Sequence, residues 1–374
     1  MATNNNNKAL NVPHLRFPEF SGEWNKCTIN DLATVVGGGT PDTTVKSYWG
    51  GDIQWFTPSE IGKNKYVDFS LRTITRDGLD NSSAKLLPLH TILLSSRATV
   101  GECSIASNEC TTNQGFQSLI AKQCNIDFLY YLIQTKKKDL IRNACGSTFL
   151  EISANEIRKI KVAVPVQNEQ EQIAKLLSLI DESIATQNKI IEKLQSLIKG
   201  LAAQLTQSGT PNIRLCDCLE CHSSTLQENC VSVTGSYPVY GATGLIGYTN
   251  NYAYNGESIL IVKDGSGVGS LSYVNDHFSV IGTLNYLTAK ENYSILYLYY
   301  ALMAFNFTPY ITGMAIPHIY FKDYGKAKLF YPSIEKRIRI ASLLHNIEQK
   351  LVVEQNLVIS LSAQKSYLLR MLFI

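Results

Sequence analysis

Apolar side chains recur at alternating steps of four and three residues between Asn168 and Leu205. Gln187 fills the one seam position that is not apolar. This spacing keeps a single stripe facing a partner helix, as in a coiled coil. The stripe contains Ile173, Leu177, Ile180, Ile184, Ile191, Leu194, Ile198, Leu201 and Leu205.

A second stretch near the end of the sequence has the same alternation, with Glu354 and Lys365 at its two polar seam positions. The numbering offset between the stretches is 340 − 173 = 167, and it also carries Pro165 onto Pro332. The sequence therefore predicts two half-copies, each ending in a long helix. The second stripe contains Ile340, Leu344, Ile347, Leu351, Val358, Leu361, Leu368 and Leu372.

Two polar seam positions coincide under this offset, since 187 + 167 = 354. If the helices pair antiparallel, Gln187 and Glu354 meet near the middle of the pair. A buried polar pair lowers stability but can fix the register of two helices. A wet, loosely packed gap is the alternative interpretation of the same two positions.

Short apolar runs before each long helix predict strands, with Thr91–Ser95 repeated at Ser258–Val262. Pro165 ends the last strand of the first half, and Asn168 with Glu171 matches a capping box for the helix that follows. The predicted fold class is α+β. It consists of two mixed α/β domains separated by two long helices that form an antiparallel coiled coil, with a pseudo-two-fold internal repeat.

The composition of the 374 residues, 45% hydrophobic with a formal charge of +3, indicates folded domains and a mildly basic protein. Such a charge permits a nucleic-acid partner without requiring one. The Asn-rich start is typical of a disordered tail, not of a signal peptide. No run of about 18 apolar residues is present to span a bilayer. We expect no membrane association and a cytoplasmic location.

Nine cysteines, an odd number, favour reduced thiols over a disulfide framework. Cys216, Cys218, Cys221 and His222 have the spacing of a c-type haem attachment, and could also supply four zinc ligands. The alternative is structural. The repeat places Cys218 where the first half has Leu32, which predicts a packed side chain. We expect no metal site.

Catalytic motifs are absent from the sequence. It has no Walker-type phosphate loop and no two histidines four residues apart. Gly265–Gly269 can be interpreted as a phosphate-binding loop or, in our preferred interpretation, as a flexible turn. Lys136–Lys138 can similarly be a phosphate contact or a solvated helix end. We therefore predict no catalytic residue and no cofactor bound by this chain.

The two-fold layout resembles the specificity subunit of type I restriction-modification systems, and the resemblance covers nearly the whole chain. Its most specific mark is the joint Lys161–Pro165 followed by Glu169–Ala174. Gly38–Pro41 supports it in the first half, and Tyr237–Gly241 with Lys263–Gly265 in the second. The second helix departs from the pattern, because it begins with Glu-Lys-Arg-Ile-Arg-Ile-Ala.

The resemblance implies a non-catalytic subunit that reads a bipartite double-stranded DNA target and assembles the other subunits. It also implies two modification subunits that carry S-adenosylmethionine for adenine methylation, and two restriction subunits that can add ATP- and Mg-dependent translocation and cleavage. The implied domains are a tail (1–14), a first target-recognition domain (15–165), a central spacer helix (166–206), a second target-recognition domain (207–332) and a C-terminal spacer helix (333–374).

Residues that read DNA should be polar and lie on loops beside the strands. Arginine suits guanine, asparagine and glutamine suit adenine, and lysine suits phosphate. The candidates in the first half are Thr40, Lys63, Lys65, Arg76, Arg97, Thr99, Asn113 and Gln114. Those in the second half are Tyr240, Thr243, Asn250, Lys263, Ser266, Thr283 and Asn285.

The long helices suggest a ruler and also leave a second function open. A helix of about 37 residues is roughly 55 Å long, compared with about 34 to 36 Å for one turn of DNA. Inserting one heptad in either helix should therefore lengthen the unspecified DNA spacer. The alternative function is a coiled-coil scaffold whose globular halves bind proteins or glycans, which the tyrosine-rich second half would suit.

Overall fold

A computed structural model describes residues 11–146 and 150–374 of the chain. The first ten residues of the expected tail therefore lie outside the described part. The chain forms two compact units. Unit 1 runs to Thr186 and includes Val358–Ile374, and unit 2 is Gln187–Leu357.

Unit 1 is built on a five-stranded sheet of order β2-β9-β6-β7-β4, with a three-stranded sheet β5-β3-β8 and a separate β1-β10 pair. Its helices cover a core that includes Trp24, Phe128 and Tyr131. The elements are β1 (Asn25–Thr28), α1 (Ile29–Leu32), β2 (Ala33–Gly37), β3 (Trp49–Phe56), β4 (Tyr66–Val67), β5 (Arg72–Ile74), α2 (Arg76–Asp80), β6 (Ile92–Leu94), β7 (Cys103–Ala106), β8 (Cys110–Thr112), β9 (Gln117–Ala121), α3 (Ile126–Thr135), α4 (Lys137–Arg142), α5 (Ala154–Lys159), β10 (Lys161–Val164) and the start of α6 (Gln167–Thr206).

Unit 2 has a six-stranded sheet of order β12-β17-β15-β16-β13-β14 and a short β11-β18 pair. Leu298 and Tyr300 pack into its main core together with Ile340 and Leu344. The elements are the second part of α6, β11 (Ile213–Arg214), α7 (Leu215–Cys218), β12 (Leu219–Ser223), β13 (Tyr237–Gly241), β14 (Gly244–Thr249), β15 (Tyr254–Val262), β16 (Leu271–Val280), β17 (Leu284–Ala289), α8 (Ile295–Met303), α9 (Phe321–Tyr324), β18 (Lys328–Leu329) and α10 (Ile334–Leu372).

The predicted heptad stripes are confirmed on both long helices. Every seam position is buried or half-buried, whereas the residues between them are mostly exposed in the middle of each helix. No helix in the described part of the chain combines the length and the apolar character that a membrane span needs.

The predicted cap at Asn168 is wrong, because α6 begins one residue earlier, at Gln167. The amide of Gln170 explains the early start: its Nε2 donates to the carbonyl of Pro165 at 3.0 Å, and its Oε1 accepts from the backbone of Asn125 at 3.0 Å. Gln170 thus ties the first turn of α6 to the end of the preceding strand. Glu171 accepts from the side chain of Gln167 instead of completing a capping box.

Within unit 1, the two long-helix segments run antiparallel. Trp24 lies between their ends, because its Nε1 donates to Glu169 of α6 at 3.2 Å and its ring meets Phe373 at 6.3 Å. Further along, Asp181 of α6 forms an ion pair of 2.6 Å with Lys365 of α10. Moving forward along α6 therefore moves backward along α10. The polar seam residue Lys365 has an acidic partner.

Candidate nucleic-acid interface

Three of the candidates in unit 1 lie together where β2 ends and β9 begins. The backbone of Gly39 donates to Thr112 at 2.8 Å, and a Cβ on Gly38 would lie 2.0 Å from the carbonyl oxygen of Asn113. Only glycine permits this close approach. Beyond it, the hydroxyl of Thr40 donates to Oε1 of Gln114. Gln117, the first residue of β9, pairs with Gly37 at the end of β2. We call Thr40, Asn113, Gln114 and Gln117 the first strand-end cluster.

Hydrogen bonds orient two amides of this cluster. Oδ1 of Asn113 accepts from the backbone of Gly115 at 2.8 Å, and Oε1 of Gln114 accepts from Thr40. Because both carbonyl oxygens are engaged, each side chain has its NH2 group left to offer as a donor. Such donors match N7 of adenine and N7 or O6 of guanine in the major groove.

The turn that carries Arg97 joins this cluster through the backbone of Ser96, which donates to Gly115 at 2.8 Å. Arg97 forms an ion pair of 2.7 Å with Glu151, and both side chains are 43% exposed. Pairs as exposed as this are worth roughly 0 to 1 kcal/mol, so exchanging Glu151 for a base costs little. Thr99 is bound to Ser95 at 2.9 Å in the same turn.

The other three candidates of unit 1 are not part of the cluster. Lys65 is only 9% exposed, and its Nζ lies 2.7 Å from Asp127 and 2.6 Å from Ser178 of α6. Its ammonium therefore supports the helix in this structure and is not presented to a phosphate. Arg76 is exposed and pairs with Asp80 at 3.2 Å. Lys63 is exposed on the loop before β4.

The corresponding edge of unit 2 collects four candidates. The backbone of Lys263 donates to Thr283 at 3.0 Å, and that of Ile281 donates to Tyr240 at 3.0 Å. Asn285 pairs with Ser223 on the neighbouring strand. We call Tyr240, Lys263, Thr283 and Asn285 the second strand-end cluster.

Two members of the second cluster, Lys263 and Asn285, both act on the thiol of Cys221. Burial raises the pKa of the nearby Cys221 thiol to about 11, while the charge of Lys263 and a hydrogen bond from Asn285 oppose the shift. Asn285 itself is 8% exposed. Its Oδ1 and the hydroxyl of Thr283 are buried, with no hydrogen-bond partner among the described residues.

Gln117, which was not among the sequence-predicted candidates, takes the ladder position in unit 1 that Asn285 takes in unit 2. The offset of 167 aligns Asn285 with Ser118, but the strand ladders give an offset of 285 − 117 = 168. Gln117 pairs with the last residue of β2, as Asn285 does with the last residue of β12. Both amides also have a buried carbonyl oxygen without a partner in the described part. The sequence has an amide at this ladder position in both halves. A one-residue difference in offset keeps residue numbering from aligning the two amides.

The remaining candidates of unit 2 lie on exposed turns. Thr243 is in the β13–β14 turn and Ser266 in the turn after β15. Asn250 lines a groove of about 790 Å³ with Tyr252, Thr225 and other uncharged side chains. The groove lining offers no cation to a phosphate. The structure thus gathers the members of each cluster within its own unit. Thr243 and Asn250 lie on loops apart from the second cluster, whereas Ser266 lies in the same turn as Lys263.

A small hairpin beside each cluster repeats residue for residue. In unit 1, Glu151 forms bridges to Arg97 and Cys145. In unit 2, His318 forms the equivalent bridges to Asp264 and Thr312, since 151 + 167 = 318. Residues 147–149, between Cys145 and Glu151 in the sequence, lie outside the described residues. Both half-copies therefore keep a hairpin against the turn that leads to the cluster.

The cysteine cluster has the predicted structural role at Cys218. This residue is fully buried, and burial raises the pKa of its thiol to about 12. His222 is bound to Thr288 at 2.9 Å and stacks on Tyr286 at 4.7 Å. Among residues 11–146 and 150–374, no group of three potential metal ligands lies close together.

Two of the three adjacent lysines bind within unit 1. Lys136 donates to the backbone carbonyl of Ile374 at 2.8 Å, and Lys137 pairs with Glu102. These contacts favour the helix-end interpretation over a phosphate contact for both residues.

Gln187 and Glu354, the predicted register pair, are both half-buried in unit 2. Oε1 of Gln187 is buried, and no hydrogen-bond partner for it is found in the described residues. A lock between the two side chains therefore stays a prediction.

Comparison with known proteins relates both units to one family. A family profile described as "Type I restriction modification DNA specificity domain" matches residues 21–196 and 213–361. The MjaIX specificity subunit of Methanocaldococcus jannaschii is 39% identical over 183 residues, which are 46% of this chain and 42% of that protein. The Escherichia coli EcoprrI specificity subunit is 25% identical over 365 residues, 87% of each chain.

Solved structures agree at the level of the fold. A type I restriction-modification S subunit from M. genitalium superposes with a TM-score of 0.65, covering 97% of this chain and 99% of that chain at 18% identity. A second structure, from a study of complex assembly in the type I system, has a TM-score of 0.54 at 14% identity. The predicted α+β layout with two mixed domains and long helices is confirmed.

Proposed function

The chain belongs to the type I restriction modification DNA specificity family, and from this premise we propose that each of its units reads one part of a bipartite DNA target. The chain itself has no catalytic role in this proposal. It selects the sequence on which other subunits act. The coiled-coil scaffold alternative is not supported by the comparisons.

The observation that carries the proposal is the repetition of a polar strand-end cluster in both units. Each cluster lies at the same ladder position, with Gln117 in unit 1 and Asn285 in unit 2. Unit 1 adds the oriented NH2 groups of Asn113 and Gln114, and unit 2 adds the ammonium of Lys263. Amide donors such as those of Asn113 and Gln114 can read base edges, whereas cations mainly contact phosphates. The carbonyl oxygens of Gln117 and Asn285 are buried, so these two residues mark the ladder position and are not counted as base contacts.

The different membership of the clusters favours two different half-targets. Unit 1 offers amide donors beside Arg97, while unit 2 offers Tyr240, Lys263 and Thr283 around its amide. Two readers with different side chains on the same framework suit a target whose two parts differ in sequence.

We further propose that the long helices hold two modification subunits, with restriction subunits as an additional component. S-adenosylmethionine, ATP and Mg would belong to those partners. What supports this is the relationship to named specificity subunits of type I restriction enzymes. The expectation that an inserted heptad lengthens the DNA spacer stays a prediction.

Selection from random DNA tests the proposed function. The full chain is purified in complex with its modification subunit, and bound duplexes are sequenced after several rounds at moderate salt. We expect a two-part consensus separated by unspecified bases. Recovery of unrelated sequences, bound only at low salt, would contradict the proposal, because it would show electrostatic binding without readout.

A further inference from the structure

Residues Thr312–His318 of unit 2 form a closed hairpin, which we call the tip hairpin. Thr312 and His318 exchange backbone hydrogen bonds of 2.9 and 2.8 Å. Gly313 has a φ of +91°, and a Cβ there would lie 2.3 Å from the carbonyl oxygen of Ile316. A glycine is required at such a turn. The backbone of the tip is therefore held in one tight conformation.

Apolar side chains occupy the end of this hairpin and face water. Met314 is 107% exposed and Ile316 is 64% exposed. Burying a side chain of this size on folding stabilises a protein by about 1.5 to 3 kcal/mol. The fold does not gain this stabilisation at either position, because both side chains stay exposed. Neighbouring exposed apolar groups can mark a contact surface, and Met314 and Ile316 stand two residues apart on one tight turn.

The tip hairpin is anchored to the second strand-end cluster. The backbone of Ile319 donates to Lys263 at 2.9 Å, and that of Gly265 donates to Pro317 at 2.9 Å. Lys263 in turn donates to Thr283 of the cluster. Two direct hydrogen bonds thus join the hairpin to the turn that carries the candidate cation.

The rim of the tip combines aromatic and cationic groups. Tyr320 is 48% exposed, and Nζ of Lys322 lies 5.0 Å from the centre of its ring. Ser266 is exposed on the neighbouring turn. An apolar tip with hydroxyl and ammonium groups around it offers apolar contact to a base and polar contact to the backbone beside it. This combination of groups suits duplex DNA.

We propose that Met314 and Ile316 make apolar contacts with bases in the part of the target read by unit 2. This inference rests on the proposed function and adds a specificity-determining surface to it. The group that Met314 and Ile316 would contact is an apolar surface of a base. It is provided either by the 5-methyl group of thymine in the major groove or by an opened base step.

The test uses the full chain with both residues changed, Met314→Ser and Ile316→Ser, in complex with the modification subunit. Val233→Ser is the matched control, because Val233 is 90% exposed elsewhere in unit 2. Affinity for the selected target duplex is measured by fluorescence anisotropy over a series of salt concentrations. We expect the double variant to bind about ten-fold or more weakly, which corresponds to about 1.4 kcal/mol. The control should bind like the parent.

The salt dependence separates this contact from a phosphate contact. Losing an apolar base contact leaves the slope of log affinity against log salt unchanged, whereas losing a phosphate contact reduces it. An unchanged affinity, or a reduced slope, overturns the proposal. So does failure of the double variant to assemble with the modification subunit in size-exclusion chromatography, since that result assigns the tip to a protein partner.

Deoxyuridine substitution identifies the source of the contact. If the tip meets thymine methyl groups, replacing thymine by deoxyuridine weakens the parent and has little further effect on the double variant. If the tip enters a base step, the parent is insensitive to deoxyuridine, and 2-aminopurine fluorescence in the target rises on binding the parent but not the variant. Either result supports the proposal, while a parent complex without sequence preference would contradict the proposed function itself.

Discussion

One acidic residue at the same repeat position is stabilised differently in the two units. In unit 1, Asp181 accepts a hydrogen bond of 2.7 Å from Tyr131 and pairs with Lys365 at 2.6 Å. In unit 2 the equivalent residue is Glu348, since 181 + 167 = 348. It accepts hydrogen bonds of 2.8 and 2.7 Å from Tyr299 and Tyr300.

The two sites differ in a cation: the acid of unit 1 pairs with Lys365, and the equivalent position in unit 2 has no lysine. Subtracting the repeat offset from Lys365 gives 365 − 167 = 198, and residue 198 is a buried isoleucine. Unit 1 therefore neutralises its acid with a lysine, and unit 2 uses two phenol hydroxyls. Burial, together with the neighbouring carboxylates, raises the pKa of Tyr131 and Tyr300 well above the usual range. The half-copies keep the acid at the same repeat position but differ in the groups that stabilise its charge.

The exposed faces of the long helices differ as well. α6 exposes two large apolar side chains, Leu179 and Leu197. α10 exposes eight, which are Ile334, Ile338, Leu343, Val352, Val353, Leu357, Ile359 and Tyr367. The two half-copies are thus equivalent in fold but not in the surfaces their helices present.

The largest predicted effect comes from removing the acid of unit 1. Asp181→Ala leaves Lys365, which is 19% exposed, without its partner, and it leaves the hydroxyl of Tyr131 with only a longer contact of 3.4 Å to Ser178. We expect the free energy of unfolding to fall by about 3 kcal/mol. Urea denaturation of the full chain measures it. Glu182→Ala, an exposed neighbour, is the control, and equal destabilisation by both variants would refute the role of the ion pair.

A smaller loss is expected in unit 2. Glu348→Gln removes a charged acceptor from Tyr299 and Tyr300 but leaves no cation unpaired. The amide oxygen still accepts one hydrogen bond, so we expect a loss of about 1 to 2 kcal/mol. The exposed acid Glu335 provides the control variant Glu335→Gln. If Glu348→Gln cost more than Asp181→Ala, the lysine would not be the source of the difference.

The smallest effect is expected at Gln187, with the opposite sign. Gln187→Leu removes a buried oxygen without a partner in the described part and should stabilise the chain by about 1 kcal/mol. Thermal unfolding measures the change, and Gln195→Leu on the exposed face is the control. A clear drop in melting temperature would instead show that Gln187 has a partner, as a register lock with Glu354 requires.

Periodicity predicted the long helices and the two half-copies well, because seam burial follows directly from heptad spacing. The site was harder to predict. A lysine in a polar loop is expected on the surface, yet the side chain of Lys65 is mostly buried because its ammonium binds Asp127 and Ser178. Both partners lie far from Lys65 in the sequence. Gln117 was not among the predicted candidates because strand pairing, not residue numbering, defines its equivalence to Asn285. Contacts between distant segments decide these positions, and a single sequence does not display them.

Methylation mapping tests the central claim that each unit reads its own part of the target. The chain is co-expressed with its modification subunit, and methylated adenines are located by single-molecule sequencing. The parent should yield a two-part motif, and Asn113→Ala with Gln114→Ala in unit 1 should alter or relax one part only. Lys263→Ala in unit 2 should affect the other part. If either variant changed both parts together, or if the parent motif had a single part, the account would be contradicted.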